Sequence, residues 1–396
     1  MQFSMSTHPS HKIETLCVHA GVSPEPITGA VMTPIFQTST FEYLEPGKHK
    51  GYDYSRAGNP TRTALETALA ALEGATHAIS FASGLAAEQA IIQTLEPGSH
   101  VIVSDDTYGG TGRLFRRLFA KYNIEFEFID LRNLPLLAQK IRPQTRMIWI
   151  ETPTNPLLRI VDIQAITDLA KKASKQATHE RIVTVVDNTF CSPILQKPLS
   201  LGADIVIHST TKYIGGHSDL IGGAVMLNNQ ADAESLRFIQ FAAGAVNAPF
   251  ECFLLLRSIK TLALRMAKHN TNAQLVAHAL KSIKNVKEVI YPGLKSHPEH
   301  LLASQQMQGF GGMISFRIEG GFEAAKQFFS RLRLFTLAES LGGVESLANH
   351  PQTMTHASVP ESQREKLGIG ADLIRLSIGI EDASDLIQDL SLALDF

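Results

Sequence analysis

The chain has 396 residues, 44% of them hydrophobic and 19% charged, which is enough for two or three domains with a sizeable core. The 36 Lys and Arg against 38 Asp and Glu give a formal net charge of -2, so charge provides no global attraction to nucleic acid or anionic membranes. The chain has no membrane-length apolar run and no signal-peptide core at its start, and its three cysteines are widely spaced. We therefore expect a cytoplasmic protein with buried thiols.

The first predicted element is an extended arm. Residues 21–51 are rich in Pro, Gly and Thr without clean periodicity, which favours an irregular segment. We assign residues 1–58 to this arm and expect it to contact a neighbouring subunit. After it, Thr63 and Glu66 have the spacing of a capping box, which predicts a helix that begins there and ends at Gly74.

Seven short apolar runs alternate with helix-like segments through the middle of the chain. Crossover spacing of this kind predicts a mainly parallel, buried seven-stranded sheet in an α/β domain over residues 59–246. The runs lie at 77–83, 100–106, 124–130, 147–152, 182–187, 203–209 and 222–227. Polar residues close several of them (Ser83, Asp105, Glu151, Asp187, Ser209), which predicts one active edge, although ordinary helix caps account for a share of such residues.

The pattern changes after residue 246. A long helical pattern spans residues 250–282, and four further strand-like runs alternate with helices. These runs lie at 286–293, 311–318, 334–340 and 373–381. We expect residues 247–396 to form a smaller C-terminal α/β domain.

Lys212 stands directly after the strand-like run that ends at Ser209. Ligands of open α/β sheets bind at the carboxyl ends of strands, but a solvated surface lysine is the ordinary alternative. Asp187 ends a run 25 residues earlier. A carboxylate for a ring nitrogen and a lysine for a carbonyl carbon are what pyridoxal phosphate (PLP) requires. The strand-to-helix turn at Ser83 and Gly84 suits its phosphate, although a plain tight turn explains these residues equally well.

Several motifs follow one another in order over nearly the whole chain: FASGLAA, DDTYGGT, ETPTNP, VVDNTF, HSTTKYIGGHSD, FTLAESLGGVESL, MTHAS and IRLSIGIED. Together they closely resemble the Cys/Met-metabolism family of PLP-dependent enzymes, and most of all its cystathionine γ-lyase and γ-synthase branch. The resemblance implies the PLP-dependent transferase-like fold of the aspartate aminotransferase type.

The resemblance also implies roles for cofactor-binding residues. Lys212 would bind PLP covalently and later move protons, Asp187 would pair with the pyridine nitrogen, and Tyr108 would stack on the ring and act as an acid–base group. The phosphate would be held by Ser209 and Thr211 together with the backbone amides of Gly84 and Leu85. Tyr54 and Arg56 would reach the phosphate of the neighbouring subunit.

Substrate-binding roles follow from the same resemblance. Arg375, Asn155 and Ser340 would grip the substrate α-carboxylate. Asp53, Arg113 and Glu339 would face the distal amino acid head of cystathionine. Glu339 favours a γ-lyase or γ-synthase, whereas Asp53 stands where animal γ-lyases have glutamate and leaves lyase against synthase open.

We expect a cystathionine γ-lyase that converts a small amino-acid substrate, cystathionine, with water to cysteine, 2-oxobutanoate and ammonia. The alternatives are a cystathionine β-lyase, a γ-synthase that uses an O-acylhomoserine, and a non-catalytic PLP-binding protein. The resemblance implies a homotetramer with active sites shared within dimers. No HExxH motif or close Cys/His cluster occurs, and we expect His208 and His217 to be structural, so no metal site is predicted.

Overall fold

The structure, a computed structural model, describes residues 11–175, 181–357 and 359–395. The strands of these residues are β1 (Tyr43–Glu45), β2 (Lys48–His49), β3 (His77–Phe81), β4 (His100–Ser104), β5 (Glu125–Ile129), β6 (Thr145–Glu151), β7 (Val183–Asp187), β8 (Ile205–Ser209), β9 (Gly223–Leu227), β10 (Val286–Ile290), β11 (Met313–Ile318), β12 (Thr336–Leu337), β13 (Leu347–Asn349) and β14 (Leu373–Ser377).

The α-helices of the same residues are α1 (Ile13–His19), α2 (Pro60–Glu73), α3 (Gly84–Ile92), α4 (Gly109–Arg113), α5 (Leu134–Lys140), α6 (Ile163–Ser174), α7 (Ser192–Leu195), α8 (Gln230–Ala243), α9 (Pro249–Ile259), α10 (Leu262–Leu280), α11 (His300–Gln306), α12 (Gly321–Arg331), α13 (Glu361–Leu367) and α14 (Ala383–Leu394). A π-helical turn (Leu114–Leu118) and a 3-10 turn (Phe119–Tyr122) follow α4, and a second 3-10 turn spans Pro198–Leu201.

Two sheets carry the architecture. The larger has seven strands in the order β3-β9-β8-β7-β6-β4-β5, and the smaller has five in the order β10-β11-β14-β13-β12. In the larger sheet β4 pairs parallel with β5 and β6, and β6 with β7, whereas β3 and β9 pair antiparallel. All seven predicted strands of the middle region are therefore confirmed, because each is a short apolar run that the sheet buries.

Internal contacts group the described residues into two compact units. Unit 1 comprises the described residues up to Thr94 together with Ile207–Ala263, and unit 2 comprises Leu95–Val206 and Leu264 onward. In unit 2, one apolar core packs the amphipathic helix α6 against β4, β6 and β7. A second core, centred on Phe316 and Phe328, joins β11 and β14 to α10, α12 and α14. Burial of the apolar side chains in these two cores stabilises the strands and helices that carry them.

The predicted start of α2 is wrong, and its predicted end is confirmed. Asn59 caps the helix by accepting the Thr61 N–H at 3.0 Å, with Pro60 in the first turn, and Gly74 ends it in the left-handed conformation. The capping box does not form because Glu66 instead accepts the Ser80 N–H of β3 at 2.9 Å.

The long helix predicted over residues 250–282 is two helices, α9 and α10. The helical hydrogen bonding shortens to a three-residue span at the end of α9, where the Thr261 N–H and hydroxyl both donate to the Ser258 carbonyl, at 3.1 and 3.2 Å. This three-residue turn ends the first helix, although the apolar pattern runs through it. The arm also holds elements that the sequence did not predict, namely α1 and the exposed β1–β2 hairpin.

Cys17, Cys191 and Cys252 are buried and unbridged, as expected. Burial raises the pKa of the Cys252 thiol to about 12. None of the helices in the described part of the chain is long and apolar enough to cross a membrane.

Candidate active site

In unit 1, the predicted phosphate site lies where α3 begins. The Ser83 hydroxyl caps the helix by accepting the Ala86 N–H at 3.0 Å, and the first helical bond runs from Ala87 N to Ser83 O. The N–H groups of Gly84 and Leu85 come before that bond, at the positive end of the helix dipole. A strand end that feeds directly into a helix therefore presents backbone donors suited to an anion.

Gly84 packs too closely to carry a side chain. A Cβ built on Gly84 would lie 3.0 Å from Ser209 Cβ and 3.3 Å from Ser209 Cα, on the last residue of β8. A Cβ on Gly223 would lie 2.2 Å from the Ser83 carbonyl oxygen. The start of α3 and the end of β8 thus meet with almost no side-chain bulk between them, so the structure brings predicted residues Gly84 and Ser209 together.

The Lys212 segment is a compact turn. The Lys212 N–H donates to Ser209 O at 3.2 Å, and the Gly216 N–H donates to Lys212 O at 2.7 Å. The Thr211 hydroxyl accepts the Gly222 N–H at 3.0 Å, which ties this turn to the start of β9. Lys212 is half-buried. The alternative of a freely solvated surface lysine therefore does not describe this residue.

In unit 2, Glu151 joins two predicted site residues. Its side chain is buried at the end of β6, where Oε2 accepts the Thr107 hydroxyl at 2.7 Å and the Tyr108 N–H at 2.8 Å. Oε1 accepts the Asn155 N–H at 2.8 Å. One carboxyl group thus holds the loop that carries Tyr108 and the loop that carries Asn155.

Asn155 continues this network to Arg375. The Arg375 guanidinium donates from Nη1 to Asn155 Oδ1 at 2.9 Å and from Nη2 to Ser340 O at 3.0 Å. Arg375 is only 2% exposed on β14, so these bonds offset the cost of burying its charge. Ser340 has a left-handed φ of 88°, a strained conformation for a residue with a side chain that is found mainly at functional sites. Arg375 therefore contacts both of the other predicted α-carboxylate residues.

The two carboxyl groups at the ends of β6 and β7 lie in register, because Glu151 and Asp187 are Cα partners. Burial, and then the Asp187 carboxylate, raise the pKa of Glu151 well above its ordinary value. Asp187 accepts the Thr189 N–H at 2.9 Å.

Two further buried groups support the same loops. His356 places Nε2 3.0 Å from Asn155 O, and burial lowers the pKa of His356 to about 4. Asp106 accepts the Thr154 hydroxyl, and burial raises the pKa of Asp106 to about 6. The sequence placed Glu151 at the predicted active edge but indicated no specific role for it, and it indicated no role for His356. The only sequence signals for them are a glutamate that ends a buried strand and a histidine inside the MTHAS motif.

The remaining predicted residues lie nearer the surface. In unit 1, Asp53 accepts the Tyr54 N–H at 2.7 Å, and Arg56 donates to the Phe241 carbonyl at 2.8 Å with its guanidinium 4.5 Å from the centre of the Phe241 ring. Tyr54 is 44% exposed. In unit 2, Arg113 at the end of α4 and Glu339, which precedes Ser340, are both exposed.

Comparison with known proteins identifies the class. The profile of the Cys/Met metabolism PLP-dependent enzymes matches residues 14–395. A cystathionine β-lyase from Coxiella burnetii is 50% identical over 96% of this chain and 97% of its own length. A cystathionine γ-lyase from Dictyostelium discoideum is 50% identical over 99% of this chain and 100% of its own. A crystal structure of a cystathionine γ-synthase from Xanthomonas oryzae pv. oryzae, in complex with aminoacrylate and cysteine, has a TM-score of 0.92 at 44% identity and covers 98% of both chains.

The chain belongs to the Cys/Met metabolism family of PLP-dependent enzymes. It has the α/β fold of the PLP-dependent cystathionine lyases and synthases, and its cofactor is PLP. These relatives carry three different activities at similar identity.

The residues present fit this cofactor. The N–H groups of Gly84 and Leu85 at the start of α3 are donors suited to a phosphate, and Gly84 lets this turn lie directly against Ser209. Lys212, which follows β8, would supply an amine. In unit 2, Asp187 stands at the end of β7 and would offer its carboxylate to the ring nitrogen. Bound PLP acts as an electron sink for carbanions at the substrate α-carbon.

Proposed function

We propose that this enzyme is a cystathionine γ-lyase, which forms cysteine, 2-oxobutanoate and ammonia from cystathionine and water. The observation that carries the proposal is the place of Glu339. It stands next to Ser340, whose carbonyl accepts from Arg375, so an exposed carboxylate adjoins the residues proposed to hold the α-carboxylate. By family resemblance, a carboxylate at this position favours γ-chemistry on a substrate with a distal ammonium group.

The proposed roles follow the chemistry of γ-elimination, which removes a proton from Cα and then from Cβ of the substrate. Lys212 Nζ would act as the base in both steps, and it would release the Cα proton before it takes up the Cβ proton. Tyr108 presents its ring and hydroxyl for stacking and acid–base work. Arg375, Asn155 and Ser340 bind the substrate α-carboxylate, because a buried guanidinium with fixed partners favours bidentate binding of carboxylate.

The distal head of the substrate is assigned to three charged groups. Glu339 and Asp53 would bind its ammonium group, and Arg113 would bind its carboxylate. Both signs of charge suit a zwitterion. Ser209, Thr211 and the amides of Gly84 and Leu85 would hold the cofactor phosphate, and Asp187 would hold the ring nitrogen.

Product analysis tests the proposal. Purified enzyme with PLP is incubated with cystathionine, and separately with cysteine plus O-succinylhomoserine or O-acetylhomoserine. We expect cysteine and 2-oxobutanoate from cystathionine as the main products. Homocysteine and pyruvate as the main products would make it a β-lyase. Synthesis of cystathionine at a higher rate than its cleavage would make it a γ-synthase. A yellow protein that forms no product would be a PLP-binding protein without catalytic activity.

We also propose a homotetramer in which the arm that ends at residue 58 completes the neighbour's site through Tyr54 and Arg56, while residues 59–246 bind PLP and residues 247–396 form the C-terminal domain. The exposed Tyr54 ring supports this assembly. Mixing Arg56→Ala with Lys212→Ala subunits should restore part of the activity through hybrid sites. Subunit exchange, shown by mass, without recovered activity would count against a shared site. The unbridged cysteines support a cytoplasmic location.

A further inference from the structure

We propose that Glu151 is a positioning residue that fixes Tyr108 and Asn155 relative to each other. The inference rests on the proposed roles of those two residues in cofactor stacking and carboxylate binding. Glu151 itself would touch neither cofactor nor substrate. Its part is to set the distance between the loop that follows β4 and the loop that follows β6.

The contacts show how one side chain does this. Oε2 holds the β4 loop twice, through the Thr107 hydroxyl and the Tyr108 N–H, and Oε1 holds the β6 loop through the Asn155 N–H. The carboxyl group is planar and rigid, so the two oxygens keep these donors at a constant separation. The loops are 43 and 4 residues from Glu151 in sequence. Displacement of either loop would break a bond inside a dry environment, where an unmade hydrogen bond is costly.

The other ties between these loops do not replace Glu151. Asp106 also joins the two loops, but through the Thr154 side chain. His356 contacts Asn155 through the carbonyl oxygen, and Arg375 contacts it through the side chain. Of the bonds described at Tyr108 and Asn155, only those to Glu151 take a backbone N–H from each loop into one group. The orientation of the Tyr108 backbone determines where its exposed ring points. A change at Glu151 is therefore expected to alter both the cofactor environment and substrate binding.

Asp204 provides a matched control in the same unit. Its Oδ2 accepts the Thr184 N–H at 2.8 Å and the Thr184 hydroxyl at 2.7 Å, the same donor types that Glu151 Oε2 accepts. Thr184 lies at the beginning of β7, whereas Glu151 pairs with the residue that ends β7. Asp204 thus makes similar bonds near the end of β7 that is opposite to Asp187.

The experiment compares Glu151→Ala, Glu151→Gln and Asp204→Ala as PLP-loaded proteins. Four quantities are measured: Tm, the dissociation constant of PLP, the visible circular dichroism of the bound cofactor, and kcat and KM for cystathionine. We expect Glu151→Ala to lower kcat/KM by about tenfold or more, with a higher KM and an altered cofactor dichroism band. Asp204→Ala should lower only Tm.

Glu151→Gln keeps the shape but replaces one acceptor oxygen with an NH2 group, so we expect the same changes at about two- to fivefold. This variant decides the matter if Glu151→Ala does not fold. A lower Tm with wild-type dichroism, PLP affinity and KM in the Glu151 variant that folds would overturn the inference. The dichroism and PLP affinity do not depend on which products form, so a different reaction would overturn the proposed function and leave this test intact.

Discussion

The Lys212 segment of unit 1 and the Glu151 cluster of unit 2 are built in different ways. The first consists of glycines, short hydroxyl side chains and backbone amides, packed so closely that a Cβ added to Gly84 would lie 3.0 Å from Ser209 Cβ. The second consists of buried ionisable groups joined by hydrogen bonds, including Glu151, Arg375 and His356. One region is defined by available space, and the other by satisfied donors and acceptors.

This difference predicts two kinds of sensitivity. Added volume should damage the Lys212 segment, because the backbone there has no room to yield. Loss of one polar partner should damage the Glu151 cluster, because the other partner stays buried without a bond. Four substitutions test this contrast, each with a control that has similar packing or bonding elsewhere.

The largest effect is expected from Lys212→Ala, which removes the proposed covalent attachment and proton carrier. We expect activity to fall by about 10³-fold or more. Borohydride treatment followed by peptide mass analysis should attach PLP to Lys212 in the wild type and to no peptide of the variant. Lys260→Ala is the control, because burial lowers the pKa of Lys260, whose amine donates to Val18 O, and Lys260 has no proposed role in the site. Labelling of another lysine in the wild type would show that Lys212 does not bind PLP covalently.

Arg375→Ala should come next, because it leaves Asn155 Oδ1 and Ser340 O without their donor and removes the proposed carboxylate ligand. We expect KM for cystathionine to rise by about 10²-fold. The matched control is Arg317→Ala on the adjacent strand β11, where Arg317 bonds to Asp372 at 3.0 Å and to Gly368 O at 2.6 Å. Equal KM values in the two variants would show that the bonds of Arg375 serve folding alone.

Gly84→Ala tests the region defined by space. The new methyl group would press on Ser209 and push the start of α3 away from β8, so we expect PLP to bind about tenfold more weakly. Titration of the apoenzyme with PLP measures this. Gly309→Ala is equally tight, with a Cβ 3.0 Å from Asn270 Oδ1, and the residues it would meet, Asn270 and Leu195, have no proposed role in cofactor binding. It should lower Tm and leave PLP affinity unchanged, and equal affinities in both variants would contradict the phosphate assignment.

The sequence predicted one of these regions better than the other. The strand and helix around Lys212 are local patterns, so β8, the Ser83 cap and the turn after Ser209 could be read from neighbouring residues. The Glu151 cluster depends on partners from four separate loops. Nothing near Glu151 in sequence indicates that Thr107 and Tyr108 donate to it. In the same way, nothing near Glu66 indicates that it accepts the Ser80 N–H of β3 instead of forming the predicted capping box.

The smallest effect is expected from two buried histidines, His356 and His269, whose burial should affect how stability depends on pH. Burial lowers the pKa of both His356 and His269 from 6.5 to about 4. Between these values the unfolded chain binds a proton that the folded chain does not, so each histidine removes stability as the pH falls from about 6.5 to 4, at most about 3 kcal/mol. Gln does not titrate, so Tm should fall less steeply with acid in His356→Gln and in His269→Gln.

Only one of the two substitutions should change catalysis. His356 contacts Asn155 O, whereas His269 contacts Ile378 O at 2.6 Å. We therefore expect His356→Gln to raise KM for cystathionine about two- to fivefold and His269→Gln to leave it unchanged. Thermal melts from pH 4.5 to 7.5 with KM at pH 7.5 measure both. Equal Tm slopes with unequal KM values would show that the cluster's sensitivity comes from its particular partners, whereas an equal KM would reduce His356 to an ordinary buried histidine.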